Sequence, residues 1–243
     1  ELGRMSDSFN RMMTTLESQR NLRKRLIDDL AHEISTPLSI IRLEAQGMQD
    51  GIKTPEEAAE QIIGEIDLLS NLVYDLNWLA ETDSGALRFE MAVCEFGELL
   101  KAEVARWQLR AQAADIELQL KPLPSGLPPL EVDAIRISQA LGNLIENALQ
   151  HTPAGGRVQV LCKVDSESVV TSVCDTGAGI TPEDQPHIFE RLYRVDSSRQ
   201  KEAGGHGLGL AIVRQIVEAH QGKVWVESKL GSGSCFHFCL PEA

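Results

Sequence analysis

Three glycine-rich segments follow one another in the second half of the chain: Asp175-Thr176-Gly177-Ala178-Gly179, Gly204-Gly205-His206-Gly207-Leu208-Gly209-Leu210 and Gly231-Ser232-Gly233-Ser234. Glycine lets backbone N–H groups approach an anion with no Cβ in the way. The middle segment runs directly into a helical pattern over residues 208–217, so its N–H groups and the positive end of the helix dipole would face phosphates. One such segment alone is an ordinary turn; three in order, the first at the exit of a strand pattern, point to a phosphate-bearing ligand. Upstream, residues 139–148 set Asn143 and Asn147 on one helical face a turn apart, among apolar neighbours. Amides in a core stripe need partners. Bridging within the core would serve for one of them, whereas two at this spacing suit an oxygen ligand for Mg²⁺, with phosphates and waters completing the octahedron. Asp175, at a strand end, can accept a hydrogen bond from an exocyclic amino group such as that of adenine; taken alone it is a turn aspartate. A P-loop and a dinucleotide fingerprint in a βαβ unit are both missing from the sequence.

A second set lies near the other end. In Asp28-Asp29-Leu30-Ala31-His32-Glu33-Ile34-Ser35-Thr36-Pro37-Leu38, Thr36 falls on the same helical face as His32, one turn on. Pro37 cannot donate to the Glu33 carbonyl and is expected to bend the helix. An interior proline costs about 3 kcal/mol or more, so its presence in a strongly patterned helix reads as a hinge beside the histidine.

The elements that must hold these residues are legible in the hydrophobic periods. Leu2, Met5, Phe9, Met12 and Leu16 step by 3, 4, 3 and 4, the seam of a coiled coil. After a charged interruption, Leu22, Leu26, Leu30, Ile34, Leu38, Ile41, Ala45 and Met48 predict a long helix ended by Asp50-Gly51. Thr54-Pro55-Glu56-Glu57 restarts a helix with a capping box, carrying Ala59, Ile62, Ile66, Leu69, Val73, Leu76 and Ala80 in heptads, widened by Ile63, Leu72 and Leu79. Two antiparallel helices cannot bury stripes that broad between them, so a homodimeric four-helix bundle is predicted. Beyond residues 82–85 the texture alternates. Strands are expected over 87–91, 116–120, 156–163, 168–174, 223–228 and 234–240, and helices over 96–113, 133–150 and 207–220, giving an α+β sandwich with helices over one face of a mainly antiparallel sheet.

Composition bounds the function. A chain of 243 residues suits two globular units. With 23 Lys+Arg against 36 Asp+Glu, the net charge of −13 repels nucleic acid and anionic lipid, so a nucleotide must be held by a local cluster working against the global field. The cysteines, Cys94, Cys162, Cys174, Cys235 and Cys239, form no CxxC pair and no zinc spacing, and most read as small buried hydrophobes in a reducing compartment. There is no apolar run of bilayer length and no signal peptide, so the fragment is expected to be soluble. Starting at Glu1 in mid-pattern, it reads as part of a longer protein.

The ordered set Asn143/Asn147, Asp175–Gly179, Phe189-Glu190-Arg191-Leu192-Tyr193-Arg194, residues 205–210 and Gly231-Ser232-Gly233 resembles the N, G1, F, G2 and G3 boxes of sensor histidine kinases. The resemblance implies a Bergerat ATP-binding sandwich, shared with Hsp90-like, gyrase-like and MutL-like ATPases. It further implies Asn147 as the Mg²⁺ ligand, Asp175 as the reader of adenine, Arg194 near the terminal phosphate and a lid over residues 196–206. Asn143, His151, Gly177, Gly179, Gly205, Gly207, Leu208 and Gly209 complete the implied ATP-binding set.

The segment around His32 resembles the H box of the family's dimerisation domain. His32 is then the phosphoacceptor. An imidazole attacking a phosphoryl group needs one nitrogen unprotonated, and Glu33 can hold the proton on the other; transfer then depends on positioning and charge neutralisation. Thr36 would orient water for dephosphorylation of a response regulator. Ser35 and Gln150 stand where the family often has Arg and Lys, which bears on regulator docking and phosphate grip. Residues 1–18 resemble the end of a HAMP module, with a plain coiled coil as the alternative. The implied layout is 1–18 HAMP-like, 19–84 the dimerisation and phosphotransfer hairpin, and 85–243 the catalytic domain, on the cytoplasmic side of an inner- or plasma-membrane protein through segments upstream. The resemblance thus predicts ATP and Mg²⁺ as cofactors, and a homodimer with a cognate response regulator as partners. A Bergerat ATPase that moves its own domains would leave His32 without a role, and a scaffold with ATP as a structural ligand would leave Asn147 and Asp175 without one.

Overall fold

Helix α1 (33–49) runs without interruption through Pro37. The hydroxyls of Ser35 and Ser39 fold back onto the carbonyls of Ala31 and Ser35, at 2.6 and 2.7 Å, the local side-chain bonding that serine adopts inside helices. The computed structural model describes residues 13, 30–31, 33–83, 88–165, 167–191, 193 and 207–242. The coiled coil expected over residues 2–16, His32 itself, Arg194, Gly205 and the lid expected over 196–206 lie outside them.

The chain divides into two units, Glu1–Tyr74 and Asp75–Ala243. In the first, α1 ends in a turn where Ile52 and Lys53 both donate N–H to the Gly47 carbonyl, and Lys53 Nζ holds the buried Glu44 carboxylate at 2.6 Å. Helix α2 (Pro55–Asp83) begins with the expected capping box. Thr54 N donates to Glu57 Oε2 at 3.0 Å and Glu57 N to Thr54 Oγ1 at 3.3 Å, satisfying two donors that the helix cannot. The Thr54 N–H foremost, and then the Thr54 hydroxyl, which donates to the same Oε2 at 2.8 Å, hold the Glu57 carboxyl below its ordinary pKa. Leu38, Leu43, Ile63 and Val73 are each more than half exposed, an apolar surface that this hairpin leaves uncovered.

The second unit is built on a five-stranded sheet of order β2-β4-β5-β7-β6: β2 (Glu117–Leu120), β4 (Arg157–Asp165), β5 (Ser168–Asp175), β6 (Lys223–Ser228) and β7 (Ser234–Pro241). Only β2 and β4 are parallel. Alternate residues Val158, Val160, Val169, Thr171, Val173, Phe236, Phe238 and Leu240 are buried. They meet the apolar faces of α3 (Phe96–Ala113), α4 (Ala134–His151) and α5 (Gly209–Ala219). The opposite face is half-buried, as expected for strands of period two with helices on one side. The α+β reading therefore holds.

One strand is misplaced by the sequence and one is missed. No strand forms over 88–91; β1 (Ala92–Cys94) pairs antiparallel with β3 (Leu130–Val132), a segment outside the strands that the sequence predicts. The cause is side-chain traffic. Phe89 packs edge-on against Trp78 (6.1 Å) and His220 (5.3 Å), and Glu90 N donates to Asp133 Oδ2 at 3.0 Å, so the Glu90 N–H is spent on a side chain and not on a ladder. Asp133 also caps α4 by accepting Arg136 N on Oδ1 at 3.1 Å, and its own N–H donates to Nε2 of buried His220. Among the described residues, no helix is long and apolar enough to cross a membrane.

Candidate functional site

Asp175 closes β5, and its carboxylate faces the helix side of the sheet, nearly fully buried. Oδ1 accepts two backbone hydrogen bonds, from Gly177 N at 2.7 Å and from Ser234 N at 3.2 Å. Burial pushes the carboxyl above its ordinary pKa, while those two N–H groups and the charge of His151 pull the other way.

The first and third glycine segments are stitched together around this aspartate. Gly231 N donates to the Ala178 carbonyl, and Ile180 N to Ser228 Oγ, which in turn donates to the Gly233 carbonyl. Thr176 is fixed by Arg157, whose N–H reaches its Oγ1 at 2.9 Å. The glycines are needed here for a reason other than approach to an anion. A Cβ on Gly177 would stand 2.3 Å from the His151 carbonyl oxygen, and one on Gly233 2.1 Å from that of Asp175; the loops pack backbone against backbone.

Helix α4 joins this cluster to the middle segment. Near its centre Asn143 Nδ2 donates to the carbonyl of Gly209, the first residue of α5, at 3.2 Å. At its end the His151 carbonyl abuts Gly177. Asn147 lies between these anchors and is half-buried. Asn143 therefore bridges α4 to the start of α5 through its amide nitrogen, and Asn147 is the second amide on this face that could offer an oxygen to a metal. A single amide oxygen with phosphates and waters fits a Mg²⁺ ion, which binds few protein groups. Leu208 is fully buried.

The segment before residue 194 is a string of turns held at both ends. Tyr193 donates its hydroxyl to Asp184 Oδ1 at 2.7 Å and Thr181 donates to Oδ2 at 2.8 Å. These bonds, Tyr193 foremost, keep the Asp184 carboxyl below its ordinary pKa and raise that of Tyr193. Gln185 Nε2 reaches the carbonyls of Ile180 and Ser228, and Phe189 packs edge-on against Phe236. Sequence reading missed Asp184, Gln185 and the Ser234 N–H. The last is implicit in the register of β5 and β7, whereas the first two carry no motif.

Of the cysteines, Cys162 is as the sequence reading has it, and the pair Cys174 and Cys235 departs from it. Cys162 is buried, and burial raises its thiol pKa to about 11. Cys174 and Cys235 are half-buried, directly opposite each other on β5 and β7, and joined by a disulfide.

In the other unit, Glu33 is half-buried on α1 and Thr36 is exposed one turn beyond position 32.

Comparison with known proteins agrees with this arrangement. Residues 22–85 match the His Kinase A (phospho-acceptor) domain, and residues 132–243 match the histidine kinase-, DNA gyrase B- and HSP90-like ATPase family. The chain belongs to the sensor histidine kinases, with a phospho-acceptor domain followed by an ATPase domain of that family. Over 226 residues it is 35% identical to the signal transduction histidine-protein kinase BaeS of Escherichia coli, covering 92% of this chain and 48% of BaeS. The chain thus spans about half the length of that relative. Full-length ShkA in complex with AMPPNP is 30% identical with a TM-score of 0.67, over 88% of this chain and 45% of that one. Histidine kinase ThkA in complex with response regulator protein TrrA is 25% identical with a TM-score of 0.71, over 94% and 66%.

Proposed function

We propose that the chain transfers the terminal phosphoryl group of ATP to His32, and from there to an aspartate of a separate response regulator. The observation that carries the ATP half is the carboxylate of Asp175, buried and fixed on one oxygen by two N–H groups, at the meeting point of two glycine loops that α4 ties to the third. In this reading the other oxygen takes the amino group of adenine. Asn147 would hold Mg²⁺, a group that would supply charge neutralisation at the phosphates, with Arg194 and a lid over 196–206 completing the site. Binding of AMPPNP by ShkA supports the nucleotide assignment, and the complex of ThkA with TrrA supports the partner.

His32, the residue before Glu33 in the sequence, receives the phosphoryl group, with Glu33 keeping the proton on the nitrogen that does not attack. The hairpin over 19–84 dimerises. Its exposed Leu38, Leu43, Ile63 and Val73 supply the apolar surface for a four-helix bundle, and the domain over 85–243 is catalytic.

With γ-labelled ATP and Mg²⁺, label is expected on the protein in an acid-labile, base-stable form, and His32→Gln abolishes it; label retained by that variant refutes the acceptor. A regulator phosphatase activity would rest on Thr36, exposed one turn along α1. Thr36→Ala then leaves autophosphorylation intact and slows dephosphorylation of the regulator, and equal rates in the two proteins remove this role.

A further inference from the structure

Strand β6 is an outer strand of the five-stranded sheet, with β7 on one side and no strand among the described residues on the other. Register fixes which of its backbone groups are spent. Just past the paired segment, Lys229 N donates to the carbonyl of Gly233, the next position of the same register, and hydrogen-bonded pairs recur at every second position of an antiparallel ladder. Lys223, Trp225 and Glu227 are therefore bonded to β7, while the N–H and C=O groups of Val224 and Val226 point away from the sheet. Ser228 faces the same way, and its carbonyl is held by Gln185 Nε2 at 3.0 Å. Among the described residues, no hydrogen bond reaches the outward groups of the two valines.

This edge is complementary to itself. A second copy laid antiparallel, with Trp225 opposite Trp225, sets Lys223 opposite Glu227 twice and Val224 opposite Val226 twice. The valine pairs are then the hydrogen-bonded ones and exchange all their outward groups. The tryptophan pair and both Lys–Glu pairs fall at the close positions between, where directly opposed side chains interact. Trp225 has one ring face stacked on His237 of β7, with centroids 5.0 Å apart and 14° between planes, which turns its other face toward the open edge. Lys223 and Glu227 are exposed on the same side of the sheet, the side that the helices leave uncovered. Neighbouring registers lose this match. Sliding one way sets Lys223 opposite Lys229 and calls on the Ser228 carbonyl that Gln185 already holds; sliding the other way sets Lys223 opposite Trp225. A charged residue commonly protects an outer strand from pairing, but two charges of opposite sign placed symmetrically about Trp225 select one pairing instead.

We propose that β6 is an interaction surface for a second copy of this chain, the two strands pairing edge to edge about Trp225 and merging two sheets into one. The surface is separate from the exposed apolar residues of the hairpin, Leu38, Leu43, Ile63 and Val73, which belong to the other unit. A short strand edge covers less than the roughly 1,000 Å² of a stable specific interface, so the contact is weak and forms as concentration rises, between assemblies that the hairpin has already built.

Sedimentation of the 243-residue chain from low to high micromolar concentration, paired with amide hydrogen exchange read by NMR, tests it. The weight-average mass is expected to rise with concentration, and protection of the Val224 and Val226 amides to rise with it, while the Trp225 amide, bonded to β7 throughout, stays constant. Lys223→Glu and Glu227→Lys each set like charges opposite one another and should weaken the association roughly 10-fold or more. An equimolar mixture of the two variants restores both opposite-charge pairs, as does the double variant carrying both changes, and each should associate like the parent. A mass that stays flat with concentration overturns the proposal. So does association of either single variant as strong as that of the parent, or a rise in mass without protection of the two valine amides. Failure of both the mixture and the double variant to associate overturns the register and the pairing with it.

Discussion

Ser234 donates its backbone N–H to Oδ1 of Asp175, the same oxygen that the Gly177 N–H reaches. Two donors on one oxygen fix the orientation of the carboxylate, and among the described residues none donates to Oδ2. In Asp175→Asn the two N–H groups hold the amide oxygen at the Oδ1 position and force the NH₂ group to where Oδ2 stood. The amino group of adenine would then face a donor. Leaving a buried hydrogen-bonding group unmatched costs about 1–3 kcal/mol, so ADP affinity is expected to fall roughly 5- to 150-fold. Nucleotides of hypoxanthine, which carry a carbonyl in place of that amino group, should lose far less. Competition titrations with ADP and IDP on both proteins measure the ratio; an unchanged preference removes Asp175 as the base reader.

The same substitution has a pH signature. Burial raises the Asp175 carboxyl pKa in the folded chain, so the folded state holds the proton more tightly than the unfolded one. Its contribution to stability is fully present below the ordinary carboxylate pKa, and it is lost as pH rises through the elevated value. Asp175→Asn has no such proton. The melting midpoint of the parent minus that of the variant, without nucleotide, is therefore expected to fall as pH rises from the ordinary carboxylate pKa through the raised one. A difference that rises with pH would mean that the hydrogen bonds from Gly177 and Ser234 outweigh burial.

Much of this was legible in the sequence because the signals are local. The capping box at Thr54 and Glu57 needs only a spacing of three, and it forms as read. The helices and the long strands follow from period. What failed was non-local. Phe89 lies in an alternating run, yet its fate is set by Trp78 and His220, the latter 131 positions away, and residues 130–132 form a strand only because β1 arrives beside them. The first and third glycine segments meet around Asp175, and at Gly177 and Gly233 the missing Cβ makes room for carbonyls of His151 and Asp175, contacts that no motif encodes. The pairing of Cys174 with Cys235 depends likewise on strand register, not on spacing.

Asn143 and Asn147 look equivalent in the sequence and are separated by one hydrogen bond. Asn143 spends its amide nitrogen on the Gly209 carbonyl, so Asn143→Ala should cost about 0.5–1.5 kcal/mol and loosen the start of α5. Nucleotide affinity falls there with its dependence on Mg²⁺ retained. Asn147→Ala should leave the melting midpoint nearly unchanged and abolish the gain in ADP affinity that Mg²⁺ confers. Aspartate separates the two roles further. At 147 a carboxylate still offers oxygen to a hard cation and should preserve the Mg²⁺ response, whereas at 143 it cannot donate to Gly209 and sets an anion against that carbonyl, so it should be worse than alanine. Calorimetric ADP titrations with and without Mg²⁺, paired with thermal melts of all four variants, read both axes. If the alanine variants at 143 and 147 lose the Mg²⁺ response alike, the division of labour between the two asparagines is wrong.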